Sequence, residues 1–147
     1  MRTFSAIDLS DSALRALAEQ AGALLLAAGR RVATAESCTG GWVAKCLTDI
    51  PGSSRWFERG YVTYSDLAKQ QSIGVAPGVI QTFGAVSRPT VEQMAAGALH
   101  ASGADIAVAI EQRYSGDREA IRRASVATAL RLVIGAADPG RAALGRS

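Results

Sequence analysis

Leu14, Leu17, Ala18, Ala21, Leu24 and Leu25 recur three and four positions apart, behind the polar residues Asp8 to Ser12 and ahead of Gly29. That spacing predicts an amphipathic helix of about five turns, with an N-cap among Asp8 to Ser12 and a glycine stop. Val32 to Ala35 then reads as a short buried strand. A helix through Trp42, Val43, Cys46 and Leu47 to about Asp49 follows the polar cluster Thr34 to Gly41, and Pro51-Gly52-Ser53-Ser54 forms a turn. Gly60 to Tyr64 predicts a second strand, after which Ser65 or Asp66 caps a short helix that carries Lys69.

Further along, Pro77 to Phe83 fits a short helix or turn, and Ser87-Arg88-Pro89-Thr90 opens a helix through Val91, Met94, Ala98 and Leu99. Asp105 to Ile110 is the clearest strand in the chain. A last helix begins near Asp117 and carries Ile121, Ala124, Val126, Leu130 and Val133. Alternating helices and strands predict an α/β fold, a three-layer α/β/α domain with a mainly parallel sheet. One domain over residues 1–137 is expected, followed by a mobile tail over 138–147 in which Pro139, Gly140 and Gly145 fall. Three evident strands are few for this many helices.

The chemistry concentrates where the first strand gives way to a helix, at Thr34-Ala35-Glu36-Ser37-Cys38-Thr39-Gly40-Gly41. A serine at such a turn lies beside unpaired backbone N–H groups and the positive end of a helix dipole, and the two glycines admit a substrate close to the main chain. A hydrolytic serine needs a base. The single histidine, His100, falls near the end of a predicted helix and nothing in the sequence ties it to Ser37, which argues against a Ser-His-Asp triad. Of 16 basic residues only Lys45 and Lys69 are lysines. Burial can deprotonate an amine near neutral pH, whereas a guanidinium stays charged. Lys69 follows a strand end as Ser37 does, so the two could meet across one crevice at the carboxyl edge of a parallel sheet.

Composition narrows the function classes. Apolar residues make up 48% of the chain and charged residues 20%, a balance typical of a globular protein with a core of its own. The apolar stretch Ala21 to Ala28 is too short to span a bilayer, and no basic-then-apolar leader precedes it, so a cytoplasmic, membrane-free location is expected. A net charge of +3 would tolerate nucleic acid, but the arginines are scattered and lack an aromatic partner motif, which argues against that partner. Cys38 and Cys46 form no metal-ligand pattern, and no metal is expected; both read as reduced thiols, with Cys38 in a packing role.

The segments Thr34 to Gly41, Trp42-Val43-Ala44-Lys45, Pro51-Gly52-Ser53-Ser54, Gly60 to Ser65 and Lys69 closely resemble the C-terminal domain of CinA proteins. The likeness continues through Gly84-Ala85-Val86-Ser87 and Met94 to Ala98, and resumes at Tyr114-Ser115-Gly116-Asp117-Arg118. Stand-alone members of that family are nicotinamide-nucleotide amidohydrolases. The resemblance therefore implies hydrolysis of the carboxamide of nicotinamide mononucleotide (NMN) to nicotinic acid mononucleotide and ammonia by a serine-lysine pair, without metal or cofactor. Carried onto matching positions, Ser37 is the nucleophile, Lys69 rather than Lys45 its base, and Tyr64 a residue that orients or relays within the pair. Glu36, Thr39, Gly40 and Gly41 are candidates for substrate binding, with capping an equal use for Glu36 and the commoner one for Thr39. Self-association into a homo-oligomer is also implied.

One departure stands out. In the family, a strand like Asp105 to Ile110 leads into a Gly- and Pro-rich loop and a further strand before the Ser-Gly-Asp-Arg segment, whereas only Glu111 to Tyr114 intervene here. About thirty residues suited to approach a phosphate are thus missing, which bears on substrate affinity and turnover. Glu111 is expected to bridge elements normally far apart, with local strain or a rearranged edge. The alternative reading is a non-catalytic CinA-like domain that binds a nucleotide or a protein.

Overall fold

The computed structural model describes residues 7–113 and 116–142. In chain order these form α1 (Asp11–Ala28), β1 (Val32–Glu36), α2 (Trp42–Thr48), a 3-10 turn (Ser53–Arg55), β2 (Phe57–Val62), α3 (Asp66–Ile73), α4 (Pro77–Phe83), α5 (Arg88–Ser102), β3 (Ile106–Ile110), α6 (Arg118–Ala137) and α7 (Pro139–Ala142). Local chemistry sets the helix ends. Ser10 accepts from the Ala13 N–H to start α1, Gly29 closes it in the left-handed conformation, and Ser65, Ser87 and Asp117 cap α3, α5 and α6 in the same side-chain fashion.

The three strands form one parallel sheet in the order β2-β1-β3. Every residue of β1 is buried, as a central strand covered on both faces requires. Val32, Ile106 and Val108 share one core with Leu14 and Leu25 of α1, Leu47 of α2 and Leu130 of α6. Ala35 and Ala109 belong to the other core, with Ile73 of α3, Ile80 of α4, and Met94 and Ala98 of α5. The expected three-layer α/β/α architecture is what forms.

β2 differs from its expected span of Gly60 to Tyr64. Pairing with β1 begins at Phe57 and ends at Val62, with an irregularity in register between Val32 and Ala33. As an edge strand it accommodates the exposed Arg59, a residue that hides its strand character from a hydrophobicity pattern. It stops early because the carbonyls of Thr63 and Tyr64 turn toward Lys69 instead of a neighbouring strand.

Two features place the site. The register pairs Glu36 with Val62 on one side and with Ile110 on the other, so the next residues, Ser37, Thr63 and Glu111, emerge together at the carboxyl edge. The chain also leaves β1 for β2 on one side and returns to β3 on the other, the kind of switch point beside which ligands gather in α/β sheets. Helix α3, which carries Lys69, is seated by α5: a Cβ on Gly97 would lie 1.7 Å from the Ile73 carbonyl oxygen, and backbone cannot give way by that much.

The link from β3 to α6 is short. Gly116 turns it at φ 86°, and among the described residues no non-glycine has a positive φ. Tyr114 and Ser115, on which part of the family likeness rests, lie outside the described residues. Of the expected tail, Asp138 ends α6 and Pro139–Ala142 form α7, while 143–147 lie outside the described residues.

Candidate active site

The turn after β1 is built around a buried carboxylate. Glu36 accepts from the Thr39 hydroxyl at 2.6 Å, the Val43 N–H at 2.8 Å and the Ala44 N–H at 3.0 Å, so both of its oxygens are engaged by α2 and its approach. Gly40 and Gly41 take φ 61° and 95°, and the Gly40 N–H closes on the Ser37 carbonyl at 3.0 Å. This tight turn leaves the Ser37 side chain at the sheet edge rather than in the helix.

Lys69 reaches that side chain from α3. Its amine donates to Ser37 Oγ at 3.1 Å, to the Thr63 carbonyl at 3.0 Å and to the Tyr64 carbonyl at 3.2 Å. Ser37 and Lys69 are only 3% and 1% exposed, so the pair is shielded from bulk water. The two carbonyls can take two N–H groups of the amine, which leaves its third position directed at the serine oxygen. Geometrically, a hydroxyl and an amine lie within hydrogen-bond reach, an arrangement that could serve as a nucleophile and its base.

A fourth oxygen complicates the arrangement. Glu111 Oε2 lies 3.5 Å from Lys69 Nζ, with a side chain only 6% exposed. The Cys38 thiol faces the same carboxylate; burial, and then the Glu111 charge, push that thiol above its ordinary range. Cys46 is pushed up to about 11, first by burial and then by Asp49.

The remaining candidates separate. Tyr64 offers Lys69 its carbonyl, while its exposed phenol accepts from Arg118 at 3.1 Å. Thr39 gives its hydroxyl to Glu36 and its carbonyl to Arg122 at 3.1 Å. Lys45 is exposed on α2 and pairs with Asp49 at 2.6 Å, and His100 sits exposed in the last turn of α5. Two cavities flank the pair, and neither is lined by Ser37 or Lys69. One, of about 610 Å³, runs along Thr39 to Trp42 and is walled by Arg122 and Arg123, both stacked on the Trp42 ring. The other, of about 830 Å³, is lined by Ser87, Arg88, Glu111, Gln112 and Arg113 among others. Among the described residues no group of His, Cys, Asp and Glu side chains assembles into a metal site, and no helix is long and apolar enough to cross a membrane.

A model of the CinA C-terminal domain matches residues 14–112. The chain belongs to the CinA C-terminal domain family. It is 46% identical over 154 aligned residues to the nicotinamide-nucleotide amidohydrolase PncC of Escherichia coli K12, covering 83% of this chain and 93% of that relative. Because 83% of 147 residues is about 122, roughly thirty of those 154 positions face a gap in this chain, the size of the stretch expected to be missing after Ile110. Among solved structures, a CinA superfamily protein from Klebsiella pneumoniae is similar with a TM-score of 0.80 at 28% identity, over 84% of this chain and 97% of its own. The competence/damage inducible protein CihA from Agrobacterium tumefaciens gives 0.77 at 35% identity, over 91% and 98%.

Within this CinA-type fold, sequence reasoning missed two participants. Glu111 read only as a bridge, although the predicted end of the third strand at Ile110 already put its successor at the same sheet edge as Ser37. Arg122 carried no local signal at all, since its bond to Thr39 spans 83 positions of chain.

Proposed function

We propose that this chain is a serine-lysine amidohydrolase of the nicotinamide-nucleotide class, cleaving the carboxamide of NMN to nicotinic acid mononucleotide and ammonia. The observation that carries the reading is the buried 3.1 Å contact between Lys69 Nζ and Ser37 Oγ, joined with the 46% identity to an amidohydrolase of that name. Lys69, as the free amine, takes the Ser37 proton while Oγ attacks the amide carbon. Backbone N–H groups near the Thr39 to Gly41 turn, other than that of Gly40, which donates to the Ser37 carbonyl, face the oxyanion, as short-range donors do in acyl transfer. The Lys69 ammonium returns its proton to the departing nitrogen, ammonia leaves, and the amine then activates the water that releases the acid. The carbonyls of Thr63 and Tyr64 aim the nitrogen throughout.

Ammonia release from NMN tests this directly. Ser37→Ala and Lys69→Ala are each expected to lower the rate by roughly a thousandfold or more, because members of one covalent unit fail together. Equal rates in all three proteins reject the pair. The gap of roughly thirty positions favours a second reading, a domain that binds the nucleotide without turning it over. Calorimetric binding of NMN with no ammonia from the wild-type chain or from any variant would select it.

A further inference from the structure

Four oxygens surround one nitrogen at the centre of the site. Two are the fixed carbonyls of Thr63 and Tyr64, one is Ser37 Oγ, and the last is the Glu111 carboxylate. A neutral amine has two N–H groups and a lone pair, which the first three partners satisfy. An ammonium has a third N–H and a positive charge, and a buried carboxylate at 3.5 Å favours that form. Protonated, Lys69 has no lone pair to offer the serine. Glu111 both contacts Lys69 and lines the 830 Å³ cavity beyond the pair. The shortened link makes this placement possible, since Glu111 follows β3 directly and the chain turns at once toward α6.

We propose that Glu111 is a built-in brake: its carboxylate holds the Lys69 nitrogen protonated and stands between the Ser37 and Lys69 side chains and the neighbouring cavity. Hydrolysis then requires Glu111 to be neutralised or withdrawn. The brake rests on the serine-lysine reading above and acts through Lys69, so Glu111 is a positioning residue. The Cys38 thiol shares the Glu111 carboxylate, Arg88, Glu92 and Arg113 line the cavity that Glu111 also lines, and the Tyr64 phenol accepts from Arg118. Glu36 turns its carboxylate onto α2.

The chain's two lysines make the proposal measurable without turnover. In protein carrying ε-13C lysine, the pH at which the Lys69 signal changes is expected to be lower in Glu111→Gln than in the wild type, with the Lys45 signal unmoved. Ser37 labelling by an aryl sulfonyl fluoride, followed by intact mass at pH 7.5, is expected to be roughly tenfold faster in Glu111→Gln, with the rising limb of its pH profile displaced downward alike. Glu111→Ala, checked for native circular dichroism, should reproduce both effects. A Lys69 signal that titrates identically with and without the carboxylate overturns the brake, as does labelling that is unchanged or slower. Absence of Ser37 labelling in every variant up to pH 10, alongside a displaced Lys69 signal, overturns the serine-lysine reading and leaves the Lys69 to Glu111 contact standing.

Discussion

Glu36 ends β1 and Glu111 follows β3, so two buried carboxylates stand at the same edge of the sheet with very different company. Glu36 meets two backbone N–H groups and a hydroxyl, all between 2.6 and 3.0 Å and all from the next eight residues of its own chain. Glu111 accepts one backbone N–H, that of Gln112 at 3.1 Å, and otherwise meets an amine and a thiol brought from other elements, the amine at 3.5 Å. The donors around Glu36 cannot lose or gain protons near neutral pH, and its charge is absorbed by the start of α2. An amine and a thiol are groups whose reactivity a neighbouring charge alters, which is what the proposed brake at Glu111 requires. Burial alone therefore does not tell a structural carboxylate from one that governs a reaction; the nature of its partners does.

Replacing each by alanine should separate the two most sharply. Glu36→Ala leaves two N–H groups and the Thr39 hydroxyl without their acceptor inside the protein, and a loss of roughly 3–5 kcal/mol of unfolding free energy is expected. Urea melts should show a lower midpoint with an unchanged slope. Glu111→Ala takes an acceptor only from the Gln112 N–H, on an exposed residue that water can reach, and the lysine left behind keeps two carbonyls, so about 1–2 kcal/mol is expected. Equal losses at the two positions, or a larger one at Glu111, would break the contrast.

Much of this was legible in the sequence, and the parts that were not have physical causes. The Ser37 turn announces itself because small, polar and glycine residues interrupt an apolar strand, and the serine caps of α3 and α5 are equally local. Lys69 could be placed near Ser37 only as an option, because its proximity depends on how α5 seats α3 through Gly97, a contact with no local signature. Glu36 shows why type alone misleads: a carboxylate beside a nucleophile looks chemical, yet its oxygens are consumed by the α2 approach. Glu111 was hidden for the opposite reason. It lies where the chain departs from its family, and there a resemblance says what is missing but not what takes the vacated place.

Thr39 sharpens the Glu36 side of the contrast. Its hydroxyl is wholly buried and donates to Glu36 at 2.6 Å, a short bond to a charged acceptor. Thr39→Val keeps the shape and removes the donor, so about 1.5–3 kcal/mol should be lost, the range for hydrogen bonds to charged groups. Hydrogen exchange at the Val43 and Ala44 amides should quicken with it, since both share the same carboxylate. Stability held at the wild-type value would show that the Glu36 cap rests on the backbone donors alone.

The smallest effect reads the Glu111 side through a thiol. Both cysteines sit above the ordinary thiol range, Cys46 at about 11, so at pH 8 both are almost wholly protonated and alkylation by iodoacetamide should be slow. Burial is the leading cause at each, but a negative charge adds to it, from Glu111 at Cys38 and from Asp49 at Cys46. Removing a neighbouring negative charge lowers the pH at which a thiol ionises, so Glu111→Gln should speed alkylation of Cys38 at pH 8 by roughly two- to fivefold while leaving Cys46 unchanged. Cys46 serves as the control for opening of the fold, because any general loosening would expose both sulfurs. Acceleration of both together would assign the effect to loosening, whereas acceleration of Cys38 alone means that the Glu111 carboxylate acts on the thiol beside it.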